Sequence, residues 1–183
     1  MGARAGQGER SAVKITRRML LLSLAVSALS QAACGGSRTF TAAVAGVEKM
    51  TLHEGLPHQM FESGLMESER RSKPVQELHG YWFYKEPLAP SAEDVKRLTQ
   101  LLSEPATFTP FSGEKKCGGF HPDYAVEWQK DQSSYRALIC FGCDEAKLFG
   151  PGIDERHDLS TRAVPELEAL LTKHRKNRPP RAL

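Results

Sequence analysis

No run of apolar residues in this chain approaches the ~20 that a helix needs to cross a bilayer. The longest, from Met19 to about Leu29, is about half that length. No glycine-rich loop of the kind that cradles phosphates is present, no Gly-x-Ser-x-Gly elbow, and no internal repeat, which removes the nucleotide-binding, serine-hydrolase and solenoid readings. Cysteine is scarce: four in 183 residues exclude a densely cross-linked scaffold. A basic face is missing as well. Of the 25 Lys and Arg residues and 22 Asp and Glu residues, five basic and one acidic lie in the first 33 positions, which leaves 20 against 21 in the body. The remaining positive charge gathers in Lys173, Arg175, Lys176, Arg178 and Arg181, expected to be a solvated helix end. Without a stripe of cations to neutralise phosphates, nucleic acid is excluded as a partner.

What is present begins with an address. Residues 14–34, KITRRMLLLSLAVSALSQAAC, give a basic segment, a short apolar run, then small residues and a cysteine, the three-part grammar of an export signal. The end of this stretch, Ala32-Ala33-Cys34, resembles the signals of bacterial lipoprotein precursors. Gln31 departs from that pattern, which usually has Leu there. The resemblance implies that Cys34 is acylated, becomes the mature N-terminus and anchors the protein to a membrane of the cell envelope. The alternative is cleavage after Ala32 or Ala33, which leaves a soluble periplasmic protein. Arg17-Arg18, between Thr16 and Met19-Leu20-Leu21, resembles a twin-arginine signal, and adjacent arginines are also ordinary in a basic segment.

The chain then divides into a signal peptide over 1–33, a small-residue tether over 34–46, and one domain over 47–183. VEKMTLHE and VQELHGYWFY read as strands, with FESGLMESERR as a short helix between them. A helix is expected from Ser91 to Ser103, capped by Ser91 and lined by Val95, Leu98 and Leu102, and another from Ser160 to His174, with Val164, Leu167, Leu170 and Leu171 as its stripe. Between them, residues 123–149 alternate as a three-strand meander in which Tyr124, Val126 and Trp128 share the packed face. The expected fold is α+β: a mainly antiparallel sheet covered by two helices.

Chemistry concentrates at the cysteines. In ALICFGCDE, Phe141-Gly142 suits the centre of a tight turn that brings Cys140 and Cys143 within ~7 Å. Cys117 and His121 stand just before the meander, so the set reads C-x3-H, eighteen residues, C-x2-C. Three sulfurs and one imidazole match a closed tetrahedral zinc site at Cys117, His121, Cys140 and Cys143. An exported protein instead favours a disulfide among Cys117, Cys140 and Cys143, and acylation of Cys34 leaves an odd cysteine. A thioredoxin-type centre is disfavoured, since its C-x-x-C opens a helix and EAKLF reads as extended. HEGLPH places its histidines five apart with Gly55 and Pro57 between, which no metalloprotease helix tolerates. His79, His157 and His174 are scattered. The aromatic run Tyr81 to Tyr84 reads as core or as a binding platform.

CGGFHPDYAVEW together with LICFGCDE resembles a pattern of uncharacterised bacterial exported lipoproteins. That resemblance implies a location and no activity. Two readings stand: a lipid-anchored envelope domain that binds or scaffolds, with the Cys/His cluster serving the fold, or a small metal- or thiol-dependent enzyme using Cys117, His121, Cys140 and Cys143. An open coordination position or a depressed cysteine pKa would mark the enzyme.

Overall fold

A computed structural model describes residues 39–178, so Cys34, Arg181 and the export segment lie outside the described residues. In chain order the elements are α1 (Phe40–Val44), β1 (Thr51–Glu54), α2 (Ser63–Ser72), β2 (Val75–Leu78), β3 (Tyr81–Tyr84), α3 (Ala92–Ser103), β4 (Phe108–Pro110), β5 (Tyr124–Lys130), β6 (Ser133–Cys140), β7 (Glu145–Gly150), β8 (Ile153–Leu159) and α4 (Ala163–Thr172). Six strands form one antiparallel sheet in the order β1-β5-β6-β7-β8-β4, and β2-β3 is a separate hairpin. The fold is α+β.

The meander follows from alternation. Tyr124, Val126 and Trp128 of β5 oppose Ile139, Ala137 and Tyr135 of β6, and all six are buried beneath α1, α3 and α4. Asp131 and Gln132 join the two strands, both at positive φ as a type I′ hairpin requires. Ser91 caps α3 by accepting the Asp94 N–H at 3.1 Å. α4 begins at Ala163, after Ser160, whose Oγ accepts the Ala163 N–H, and Pro165 falls in the first turn, where its missing N–H breaks no helical bond.

Four features differ from the sequence expectation. The tether contains α1: Phe40 and Val44 lie four apart on one face, and Phe40 packs edge-on against Trp128 at 5.2 Å and Phe108 at 5.8 Å. Trp128 Nε1 donates to the Ala43 carbonyl, and Lys130 Nζ donates to those of Ala42 and Ala45, so β5 supplies the partners this short helix lacks. VQELHGYWFY is two strands, because His79 (φ 51°) and Gly80 (φ 83°) form another two-residue turn. The meander continues into β8, whose IDERHDL carries apolar residues only at its two ends and is held by backbone pairing with β7 on one side and β4 on the other. Finally, the sheet's second face is also covered: Phe83 packs on Ala125 and Leu138, with Leu78, Tyr81, Phe120 and Phe149 around them.

If α1 belongs to the core, Phe40→Ala should lower unfolding stability by about 3–5 kcal/mol, the usual cost of emptying a buried aromatic site. Denaturant unfolding measures this; a change near zero would restore residues 34–46 to a tether.

Candidate functional site

Four segments that are distant in sequence meet at one end of the sheet: the end of β1, the loop at 55–62, the segment 117–123, and residues 175–178 beyond α4. Period-two alternation places Glu54 on the same inward face as Leu52, opposite Tyr124. Its carboxylate is almost wholly buried, with 1% of the residue exposed. It accepts the backbone N–H groups of Lys176 (3.1 Å), Asn177 (2.7 Å) and Arg178 (2.9 Å), so three successive amides form a concave anion site filled by the protein's own side chain. Arg178 continues the network: Nη1 donates to Asp123 Oδ1 at 2.7 Å and Nη2 to Glu62 Oε2 at 3.1 Å. Asp123 Oδ2 accepts the Phe141 N–H at 2.8 Å, which fixes the turn after β6. The basic tail is solvated at Lys173, Arg175 and Lys176, of which Lys173 pairs with Asp94 and Lys176 with Glu86, whereas Arg178 departs from that expectation by being buried and paired.

Backbone approaches closely here. Gly55 N–H donates to the Asp123 carbonyl at 2.8 Å, and a Cβ on Gly55 would stand 2.0 Å from the Pro122 carbonyl oxygen. Any other residue would push the 117–123 segment off the sheet.

The sulfurs separate into two roles. Cys117 and Cys143 form a disulfide with Cα atoms 5.5 Å apart and a sequence separation of 26. Cys140 is a free, buried thiol. Burial pushes it up to about 11 despite hydrogen bonds from backbone of His121 and Cys143, so it is neither a ready nucleophile nor a ready ligand. The zinc quartet therefore does not assemble. Two of its sulfurs are bonded to each other, and the His121 Nε2–H donates to the Leu56 carbonyl at 2.8 Å. Among the described residues, the convergent group of potential ligands is instead Cys117, Cys143 and Glu145.

His121 packs against His58 with ring centroids 4.6 Å apart and the rings tilted by 37°. Burial is the main cause that holds His121 down to about 4, helped by the neighbouring His58 and Arg178, and burial likewise lowers His58. His58 Nδ1 accepts the Met60 N–H at 3.0 Å, which fixes the neutral tautomer. His53 contacts Gln76 and Glu127, away from this pair. The aromatic run is shared between layers: Phe83 and Tyr84 are buried, while Arg70 lies over the Trp82 ring and Lys147 beside Tyr81.

Glu54 and Asp123 were not among the residues the sequence singled out, and Arg178 stood there only as one of the cations of a helix end. One signal was available, a charged residue at the inward position of L-H-E. Compared with models of protein families, with curated proteins and with solved structures, the chain matches none.

Two outcomes follow. Cys143→Ser should destabilise the oxidised protein by about 2–4 kcal/mol, the usual value of a disulfide, whereas thiol titration of the denatured, unreduced described domain should find one free cysteine, Cys140. The histidines set a pH dependence. Because the folded state holds His121 near 4, below the ordinary 6.5, unfolding takes up protons that the native chain refuses. Its contribution is complete above 6.5 and falls as pH drops toward about 4. Glu69 and Asp94, lowered from 4.5 and 3.8, act only at the acid end. The melting temperature should therefore fall between pH 6.5 and 4.5, and His121→Gln should flatten that slope.

Proposed function

We propose that this protein is an exported, lipid-anchored domain of the cell envelope whose task is binding or scaffolding rather than catalysis. The observation that carries the location is the segment KITRRMLLLSLAVSALSQAAC, in which a basic stretch, an apolar run and Ala32-Ala33-Cys34 follow one another as in lipoprotein precursors. The Cys117–Cys143 disulfide supports it, since such bonds persist in oxidising compartments. No helix among the described residues is long and apolar enough to cross a membrane, so the anchor in this reading is the acyl chain on Cys34.

Binding is favoured over catalysis by the state of the cluster. A disulfide, a buried thiol pushed up to about 11 and two imidazoles held neutral form a closed arrangement without an activated nucleophile. A concavity of about 590 Å³ lies elsewhere, between residues 46–51 and the β5–β6 hairpin. Glu48, Lys49, Glu127, Lys130 and Arg136 line it, with no histidine or cysteine among its walls, as suits recognition by charge.

Mass spectrometry of the mature N-terminus tests the anchor. The expected product is a diacyl- or triacylated peptide beginning at Cys34, with Cys34→Ala accumulating as precursor; an unmodified peptide beginning at Ala33 or Cys34 would sink the reading.

A further inference from the structure

We propose that reduction of the Cys117–Cys143 disulfide opens a binding site for one borderline-to-soft divalent cation of the zinc and cadmium class, with Cys117, Cys143 and Glu145 as its protein ligands. Potential ligand atoms of these three residues all lie within 4.8 Å of one another. This set differs from a Cys117, His121, Cys140 and Cys143 quartet in taking its third ligand from β7. It does not depend on lipidation or on export.

The independent observation is Glu145. Its side chain is fully buried, and Oε2 is paired with Arg156, at 2.9 Å from Nε and 2.8 Å from Nη2. Oε1 is buried without a hydrogen-bond partner, and a carboxylate oxygen of Glu145 lies within 4.8 Å of both sulfurs. A buried carboxylate oxygen left unpaired is costly unless something serves it. The nearest cation, Lys115 Nζ, is 3.9 Å away, beyond hydrogen-bond reach. Lys115 is committed elsewhere: it donates to the Cys143 carbonyl at 2.5 Å and the Asp144 carbonyl at 3.3 Å, and lies 3.0 Å from Asp158 Oδ1. It can stay on those oxygens while Oε1 turns to a metal.

The surroundings suit a dication. Two thiolates with Glu145, Asp158 and Glu114 outweigh Lys115 and Arg156, so a charge of +2 is balanced locally. Arg156 holds Oε2 as an outer partner and orients the free oxygen. The Gly119 carbonyl oxygen, 3.4 Å from Cys143 Sγ and 3.8 Å from Cys117 Sγ, stands where a fourth donor would be needed, and water can fill the same position. Gly118 and Gly119 both have positive φ, 82° and 88°, so the segment carrying Cys117 has backbone freedom to let the sulfurs separate to metal-bonding positions.

The chemistry balances with an external dithiol or phosphine as reductant. A dithiol is oxidised to its own disulfide while the Cys117–Cys143 bond takes two electrons and two protons to become two thiols. The cation then displaces those two protons and forms two metal–sulfur bonds.

The test uses the full chain, purified oxidised and divided, one half treated with a phosphine reductant that is then removed under argon. Cadmium is titrated into both halves and followed by thiolate-to-metal charge-transfer absorption, with zinc competition to follow. One equivalent bound by the reduced chain, none by the oxidised chain, and affinity lowered roughly tenfold or more in Glu145→Gln is the expected result, since even outer-shell partners of a metal are worth 10–100-fold. Thermal unfolding of the oxidised Glu145→Gln protein shows that it is folded; should it not be, Glu145→Asp takes its place, with a smaller loss expected. No uptake after reduction overturns the proposal. So does uptake that is indifferent to Glu145, whether the thiols bind from an unfolded chain or with His121 and Cys140, and His121→Ala with Cys140→Ser identifies the latter.

Discussion

The carboxylate of Glu54 is the constraint on which the far end of the molecule depends. It sits at an inward position of an edge strand, where Leu52 two residues earlier is fully buried, and it is hydrogen-bonded by backbone amides 122 to 124 residues later in the chain, with the Arg175 guanidinium 3.9 Å away. A charge there without those amides would cost several kcal/mol. With them it pins residues 176–178, and that placement delivers the Arg178 guanidinium between Asp123 and Glu62. Asp123 in turn fixes the turn after β6, and so the position from which Cys143 reaches Cys117. The disulfide, the paired histidines and the buried thiol are thus arranged around an electrostatic clasp between the start of the sheet and residues 176–178.

Much of the fold was legible in the sequence because it rests on local periodicity. Val95, Leu98 and Leu102 at helical spacing and Tyr124, Val126 and Trp128 at strand spacing each face the core as their spacing implies. What escaped reading was held by partners distant in sequence. β8 is polar along its middle, so its place depends on β7 and β4 on either side. α1 is too short to stand alone and exists because Trp128 and Lys130 satisfy its carbonyls. The pair at 79–80 looked like an interior of one strand, and only the left-handed backbone of His79 reveals a turn.

The cysteine cluster was legible as a place and not as a pairing. Spacing predicts that Cys140 and Cys143 flank a turn, and they do, but cross-strand geometry sends their side chains to different surroundings. Cys140 ends a buried strand, packed where backbone groups surround its sulfur, whereas Cys143 lies in the turn itself, within reach of the glycine-rich segment that carries Cys117. Sequence spacing carries no information about that division, because both sulfurs are three bonds or fewer from a backbone whose direction changes between them.

The clasp also sets when the chain can finish folding. A contact that joins residue 54 to residue 178 cannot form while the intervening segment is still being synthesised, and until it forms a buried negative charge has no partner. The β5–β7 meander can pair earlier, since its turns are two to four residues long, but the edge strand β1 gains its final environment only when Arg178 is available. A nascent chain of this protein is therefore held short of its native state until residue 178 has been made. If the chain is exported as proposed, a route that threads unfolded polypeptide would suit it before that point, while a route that carries folded cargo would have to wait for residue 178 to close on residue 54.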